Sequence, residues 1–268
     1  MSHADYGRVI VAQSVEWARG AGLIRGKGRM ISVTAVVGLA FEARIAAGPG
    51  TRVICSGNGR NLAALLAKLK DCRGLISFGV AGGLSPDLRP GTCVVGSAIV
   101  SGTNRFVTHH GWSQYVLQTI PEAVHGEIAG VSAPVAHPDA KRALHLDTGA
   151  IAVDMESHIV ARAAAERGLP MAAVRVITDP AHRALPRIAL AAMHPNGTID
   201  IVSMIRSVMK HPFELPALLR AARDAAAART TLRHGRRVLG SSLGFSGIKE
   251  NELDLGYEGN TGLGVEAR

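Results

Sequence analysis

From Met30 to about residue 178, apolar runs of strand length alternate with stretches whose apolar positions recur at helical spacing. "ISVTAVVGLA" (31–40) reads as a buried strand, followed by "FEARIAA" and a break at Gly48-Pro49-Gly50. "TRVICSG" (51–57) reads as a second strand leading into a helix from Asn61 to Lys70. "GLISFGVAGGL" (74–84), "TCVVGSAIVSG" (92–102) and "GEIAGVSAPVA" (126–136) are three further strands. A short helix near 139–146, a strand "GAIAVDM" (149–155), a helix 156–167 ended by Gly168 and Pro170, and a strand "MAAVRVIT" (171–178) complete the pattern. The last two strands are expected to run parallel, joined by a helix that packs through Ile159, Val160, Ala163 and Ala164. Such alternation predicts an α/β protein: a single domain with a mixed, mostly parallel central sheet flanked by helices.

That domain spans 30–240. Residues 1–29 read as a polar leader, and 241–268, rich in Gly, Ser, Asn and acidic residues, as a flexible tail. At 268 residues and 47% hydrophobic composition the chain can bury one large core, and its 4% aromatic content suits helices packed closely on a sheet. Collagen-like and disordered compositions are excluded.

Charge changes the picture in one place. The formal net charge is +9 and the pI about 10.1, and between Arg206 and Arg237 eight basic residues face only Glu214 and Asp224. This run reads either as a solvated helical face or as a surface for phosphate or an anionic membrane. Nucleic acid is not expected, since no aromatic residues interleave with the arginines to stack on bases. Cys55, Cys72 and Cys93 include no CxxC pair, which argues against a disulfide framework or a zinc site and for a reducing, cytoplasmic setting. No apolar stretch approaches the roughly 20 residues of a membrane span. His109-His110 reads as an exposed loop pair, and His182 as a pocket or loop residue.

The candidate chemistry sits at two strand ends. Glu156 and Asp179 each follow a strand directly, so they are expected on the sheet edge where α/β proteins bind ligands. Arg175 lies within an apolar strand and requires an acidic partner. Separately, Glu156 is explained by a helix N-terminus and Asp179 by a turn before Pro180. Together with Met155, Arg175 and Thr178 they read as a functional group.

"VDMESHIVARAAAERGLPMAAVRVITD" resembles the Met-Glu and Arg-x-x-(Ser/Thr)-Asp signature of the nucleoside phosphorylase and nucleosidase superfamily, and "ISFGVAGGLSPDLRPGTCVVGS" (76–97) resembles its glycine-rich signature. Within that superfamily, the "VVGLAFEARIA" start and the basic C-terminal helices look most like the hopanoid-biosynthesis-associated phosphorylase. The resemblance implies cleavage of the N-glycosidic bond of an adenine nucleoside, with adenosylhopane as substrate and inorganic phosphate as co-substrate, no other cofactor, and a homo-oligomer with possible contact to the membrane face. It implies Asp179 as general acid toward purine N7, Glu156 and Met155 on the ribose, and Ala81, Gly82 and Gly83 leaving backbone N–H groups close to the ligand. Thr178 belongs to the same motif, and Arg175 would orient an acidic partner. For phosphate the candidates are Gly38, Arg44, Gly59 and Arg60; for water, Glu42. Val80 stands where hexameric phosphorylases place a phosphate-binding serine, and Ala133-Pro134-Val135 lacks the purine-stacking aromatic of related nucleosidases. The alternatives are a hydrolytic methylthioadenosine/adenosylhomocysteine nucleosidase and a catalytically silent nucleoside-binding protein.

Overall fold

A computed structural model describes residues 33–55, 61–186, 210 and 212–247. Its strands are β1 (Val33–Val37), β2 (Thr51–Cys55), β3 (Gly74–Gly83), β4 (Cys93–Ser101), β5 (Asn104–Val107), β6 (Val124–Gly130), β7 (Ala152–Asp154) and β8 (Met171–Asp179). The helices are α1 (Ala40–Ala46), α2 (Leu62–Ala67), α3 (His110–Thr119), α4 (Pro138–Thr148), α5 (Ser157–Glu166) and α6 (Leu215–Leu239). The strands form one sheet in the order β2-β1-β3-β7-β6-β4-β5, with β8 pairing both β3 and β4. Because β8 bridges β3 and β4, the strands β3, β7, β6, β4 and β8 close a circuit, while β1 and β2 extend it as a parallel wing. The sheet is mixed and mostly parallel, as the alternation predicts.

One expectation fails in direction. β7 runs antiparallel to β3 (Gly82 opposite Val153), whereas β8 runs parallel to β3 (Leu75 opposite Met171). Therefore β7 and β8 run oppositely and are separated by β3, not side by side. The reason is length: with only three residues, β7 borrows its alignment from β3 and β6, and α5 carries the chain across to the other side of β3. The packing face predicted for α5 holds: Val160, Ala163 and Ala164 are buried with Leu75, Val94, Ile128 and Ala173.

β3 and β8 are nearly continuous apolar runs because both of their faces are covered. Ile76 and Phe78 of β3 and Val174 and Val176 of β8 join one core with α1, α3 and α6; Leu75, Ala173 and Ile177 join another with α2 and α5. α6 presents Ala228, Leu232, Gly235 and Leu239 inward, a stripe of helical period on an otherwise polar helix. Of the other apolar residues in the basic run, Leu215 and Leu219 are exposed, and Met204, Ile205, Val208 and Met209 lie outside the described residues. Among the described residues no helix is long and apolar enough to cross a membrane.

Two segments differ from their sequence reading. Residues 103–125, unassigned by periodicity, contain β5 and α3. His109 caps α3, its Nδ1 accepting from Trp112 N at 3.2 Å, and His110 is the first helical residue. Ser241–Gly247, placed in the tail by its Ser and Gly content, forms a tight turn with left-handed backbone at Ser242 and Leu243. That turn buries Leu243 and Phe245. Trp112 Nε1 donates to Leu243 O at 3.0 Å, and the Trp112 and Phe245 rings meet edge to face at 4.9 Å. Gly74 makes the fit possible, since a Cβ there would lie 2.9 Å from Phe245 Cε2.

Phe245→Ala should therefore lower the free energy of unfolding by about 3 kcal/mol, the usual cost of emptying a buried aromatic site. Urea denaturation followed by tryptophan fluorescence measures it, and a change below about 1 kcal/mol would show that this turn contributes little to the core.

Candidate active site

At the end of β7 the chain turns into α5 through Asp154, Met155 and Glu156. The Asp154 carboxylate caps the helix start: Oδ1 accepts from Glu156 N at 3.1 Å and Ser157 N at 2.8 Å, and Oδ2 accepts from the Ser157 hydroxyl. Across the sheet Arg175, fully buried, sends its Nε to within 2.6 Å of Asp154 Oδ2, a contact angled away from hydrogen-bond geometry. Its Nη2 donates to Ser77 Oγ at 2.5 Å and lies 3.4 Å from Glu156 Oε2, while Nη1 donates to Val80 O at 3.2 Å. The charge that the sequence leaves unpaired in β8 thus has two carboxylates, with Asp154 the nearer.

Glu42 completes the buried group from α1. Its Oε2 accepts from Gly38 N at 2.9 Å and Leu39 N at 2.8 Å, and its Oε1 accepts from Val80 N at 2.7 Å. Close approach explains two glycines. A Cβ on Gly38 would lie 2.6 Å from Glu156 Oε1, and one on Gly79 would lie 2.5 Å from Glu42 Oε1 and 2.9 Å from Arg175 Nη1. Burial raises the Glu42 pKa against the opposing pull of Arg175 and the three backbone N–H groups. Burial likewise pushes Glu156 up to about 7, with Arg175 pulling down and Asp154 and Glu42 pushing up.

Asp179 ends β8 beside the glycine-rich end of β3. Its Oδ1 accepts from Thr178 Oγ1 at 2.8 Å, and its Oδ2 meets Lys141 Nζ at 2.6 Å. Lys141, from α4, is fully buried and also donates to Pro180 O at 3.0 Å and Arg183 O at 3.2 Å. Burial raises the Asp179 pKa, with Lys141 the largest opposing influence. Gly82 and Gly83 both lie against Asp179. A Cβ at Gly82 would lie 3.0 Å from Asp179 Oδ2, and one at Gly83 would lie 3.4 Å from Asp179 O. Ala81, nearly buried, accepts from Thr178 Oγ1 through its carbonyl at 3.3 Å.

The structure brings Glu42, Met155, Glu156, Arg175, Thr178, Asp179, Gly38 and the 81–83 strand end to neighbouring positions around the close of β3. Arg44 does not join them. It stands two residues from Glu42 on a helix, so it points to a different side, and it is exposed on another surface. Gly59 and Arg60 lie outside the described residues. His182 is exposed. Asp154, Ser77, Ser157 and Lys141 were not singled out from sequence. Asp154 could have been, as the acidic residue ahead of a helix start and nearest the lone strand arginine; nothing distinguishes Lys141 from Arg142 beside it. Among the described residues no group of three or more His, Cys, Asp or Glu could hold a metal ion.

Two outcomes follow. In the unfolded chain Glu156 loses its proton near 4.5, whereas in the folded chain it keeps it up to about 7. Stability should therefore fall as pH rises through that interval, by an amount on the order of 3 kcal/mol, and Glu156→Gln should flatten the slope in urea titrations. Lys141→Met leaves Asp179 without its cation and should cost about 3 kcal/mol at neutral pH, less in acid where Asp179 takes up a proton. Equal losses at acid and neutral pH would mean that Lys141 acts by packing alone.

The family described as "Phosphorylase superfamily" matches residues 39–194, more than half of the chain. No curated protein sequence matches. Among solved structures, a 5′-methylthioadenosine/S-adenosylhomocysteine nucleosidase from Colwellia psychrerythraea, in complex with adenine, is similar with a TM-score of 0.52 at 18% identity, covering 65% of this chain and 94% of that one. An S-adenosylhomocysteine nucleosidase from Streptococcus pyogenes, in complex with 5-methylthiotubericidin, gives 0.52 at 16% identity, over 78% and 99%. A futalosine hydrolase from Helicobacter pylori gives 0.50 at 18%, over 67% and 100%. Identities this low speak for a shared fold. The extent of the family match carries the assignment, and the chain belongs to the phosphorylase superfamily.

Proposed function

We propose that this protein cleaves the N-glycosidic bond of an adenine nucleoside, with Asp179 as the general acid. The observation that carries the reading is the pairing of a partly exposed Asp179, whose proton affinity burial raises, with a buried carboxylate group on the same rim of the sheet. Bond breaking leaves electrons on the departing base, and a carboxyl with a raised pKa can protonate N7 as the C1′–N9 bond opens. Positive charge develops on the ribosyl ring at the same time, and Glu156 would accept hydrogen bonds from its hydroxyls while Arg175 holds that carboxylate in place. Met155, partly exposed, would pack against the sugar without competing for those bonds.

The finer assignment is phosphorolysis of adenosylhopane, with inorganic phosphate attacking C1′ to give phosphoribosylhopane and free adenine. Its support is the sequence resemblance together with the basic C-terminal run, which suits a lipid-linked substrate presented at a membrane face. A homo-oligomer is part of the same proposal. A second reading, hydrolysis of methylthioadenosine or adenosylhomocysteine, is favoured by one observation. Glu42 is buried beside Arg175 while Arg44 faces away, so the described residues supply a carboxylate for water more readily than a cation for phosphate. The named nucleosidases of like fold agree with it.

The test is release of adenine from adenosylhopane in detergent micelles and from methylthioadenosine in solution, each with and without phosphate. Release that requires phosphate and yields a ribose 1-phosphate product supports phosphorolysis; equal release without it supports hydrolysis. Asp179→Asn should lower turnover by about 100-fold to 10,000-fold while adenine nucleosides still bind. Unchanged turnover in that variant would remove Asp179 from the reaction.

A further inference from the structure

The face of α1 turned away from Glu42 borders a cleft of about 720 Å³, lined by Phe41 and Arg44 of α1 and by Arg229, Arg233, Arg236 and Arg237 of α6. Among the described residues none of these five arginines has a carboxylate partner; the ion pairs found there are made by Arg105, Lys141, Arg175 and Arg183. Four of them fall on one helix at spacings of three, four and seven residues, which places like charges on one face at a cost in helix stability. Helix dipoles compensate Arg236 and Arg237 in the last turn of α6 and Arg44 in the last turn of α1, but neither dipole reaches Arg229, ten residues before the end of α6.

Two of the guanidinium groups are held in place. Arg236 Nε donates to Ala46 O at 3.0 Å and its Nη1 donates to Gly240 O. Gly48 lets it lie against the backbone, because a Cβ there would fall 2.0 Å from Nη2. Arg229 sits over the Phe41 ring at 5.0 Å, a cation–π contact that fixes where its charge is presented. Arg44, Arg233 and Arg237 are exposed around them. Burial lowers the Arg236 pKa, and among the described residues no carboxylate offsets it.

We infer that this cleft binds a phosphate-bearing anion, whose oxygens would accept paired N–H donors from several guanidinium forks. This goes beyond the glycosidic reaction, since the cleft lies across α1 from Glu42 and uses none of the residues around Asp179. The phosphate could belong to a soluble ester or to a lipid headgroup, and binding measurements separate the two. Pyrophosphate binding is followed by calorimetry, and vesicle binding by flotation with phosphatidylglycerol in phosphatidylcholine. Each is measured for the unsubstituted chain, for R233A/R237A, and for R73A/R89A, which removes the same charge from exposed positions outside the cleft.

With equal thermal unfolding in all three, R233A/R237A should weaken pyrophosphate binding by about tenfold or more, while R73A/R89A changes it by less than about twofold. Flotation with phosphatidylglycerol vesicles that R233A/R237A abolishes identifies a headgroup; pyrophosphate binding without flotation identifies a soluble ester. Equal weakening by both double variants would reduce the effect to net charge and overturn the proposal, as would an absence of binding in both measurements. Neither readout uses turnover, so the cleft stands or falls separately from nucleoside cleavage.

Discussion

A guanidinium removed from water must be met by negative charge, and Arg175 is removed completely. It can sit in the middle of the sheet because Asp154 and Glu156 arrive from the end of β7 and Ser77 from β3. Those partners cannot relax elsewhere. Asp154 is also the cap of α5, and Glu156 lies so close to Gly38 that no side chain fits there. One ion therefore ties together the start of a helix, the turn after β1 and two strands that run in opposite directions. Burial is what keeps protons on Glu42 and Glu156 above the usual carboxylate range against the pull of Arg175, and at Glu156 the neighbouring Asp154 and Glu42 charges add to it.

Much of this is legible in the sequence, for identifiable reasons. β3, β4 and β8 are buried on both faces and read as unbroken apolar runs; α5 has a clear period and ends at Gly168. Glu156 lies past the end of β7 as expected and Asp179 is the last residue of β8 instead of the first after it; although β7 and β8 do not run parallel, both carboxylates come to the close of β3, from opposite directions. A period of two says which face a residue takes. It does not say which way a three-residue strand runs.

What was not legible depended on partners distant in sequence. α3 hides its buried Trp112, Ser113 and Val116 among polar residues, and Leu243 and Phe245 are two apolar residues in a segment dominated by Ser and Gly. Neither segment has a pattern of its own; each is ordered by contact with the other. Lys141 is the sole buried residue of α4, and its burial follows from Asp179 and two loop carbonyls. Arg44 shows the opposite case, where the residue type suited phosphate but helical geometry turned it away from Glu42.

The circuit of strands also fixes an order of events for a growing chain. Val80 and Arg175, hydrogen-bonded across β3 and β8, are separated by 95 residues. Until β8 leaves the ribosome, β3 and β4 have unsatisfied edges, and Asp154, Glu42 and Glu156 have no cation. A nascent chain ending before Met171 can assemble the β1–β2–β3 wing but not the ring. Assembly of the buried charges must wait for β8, and nonlocal pairing of this kind makes for slow closure.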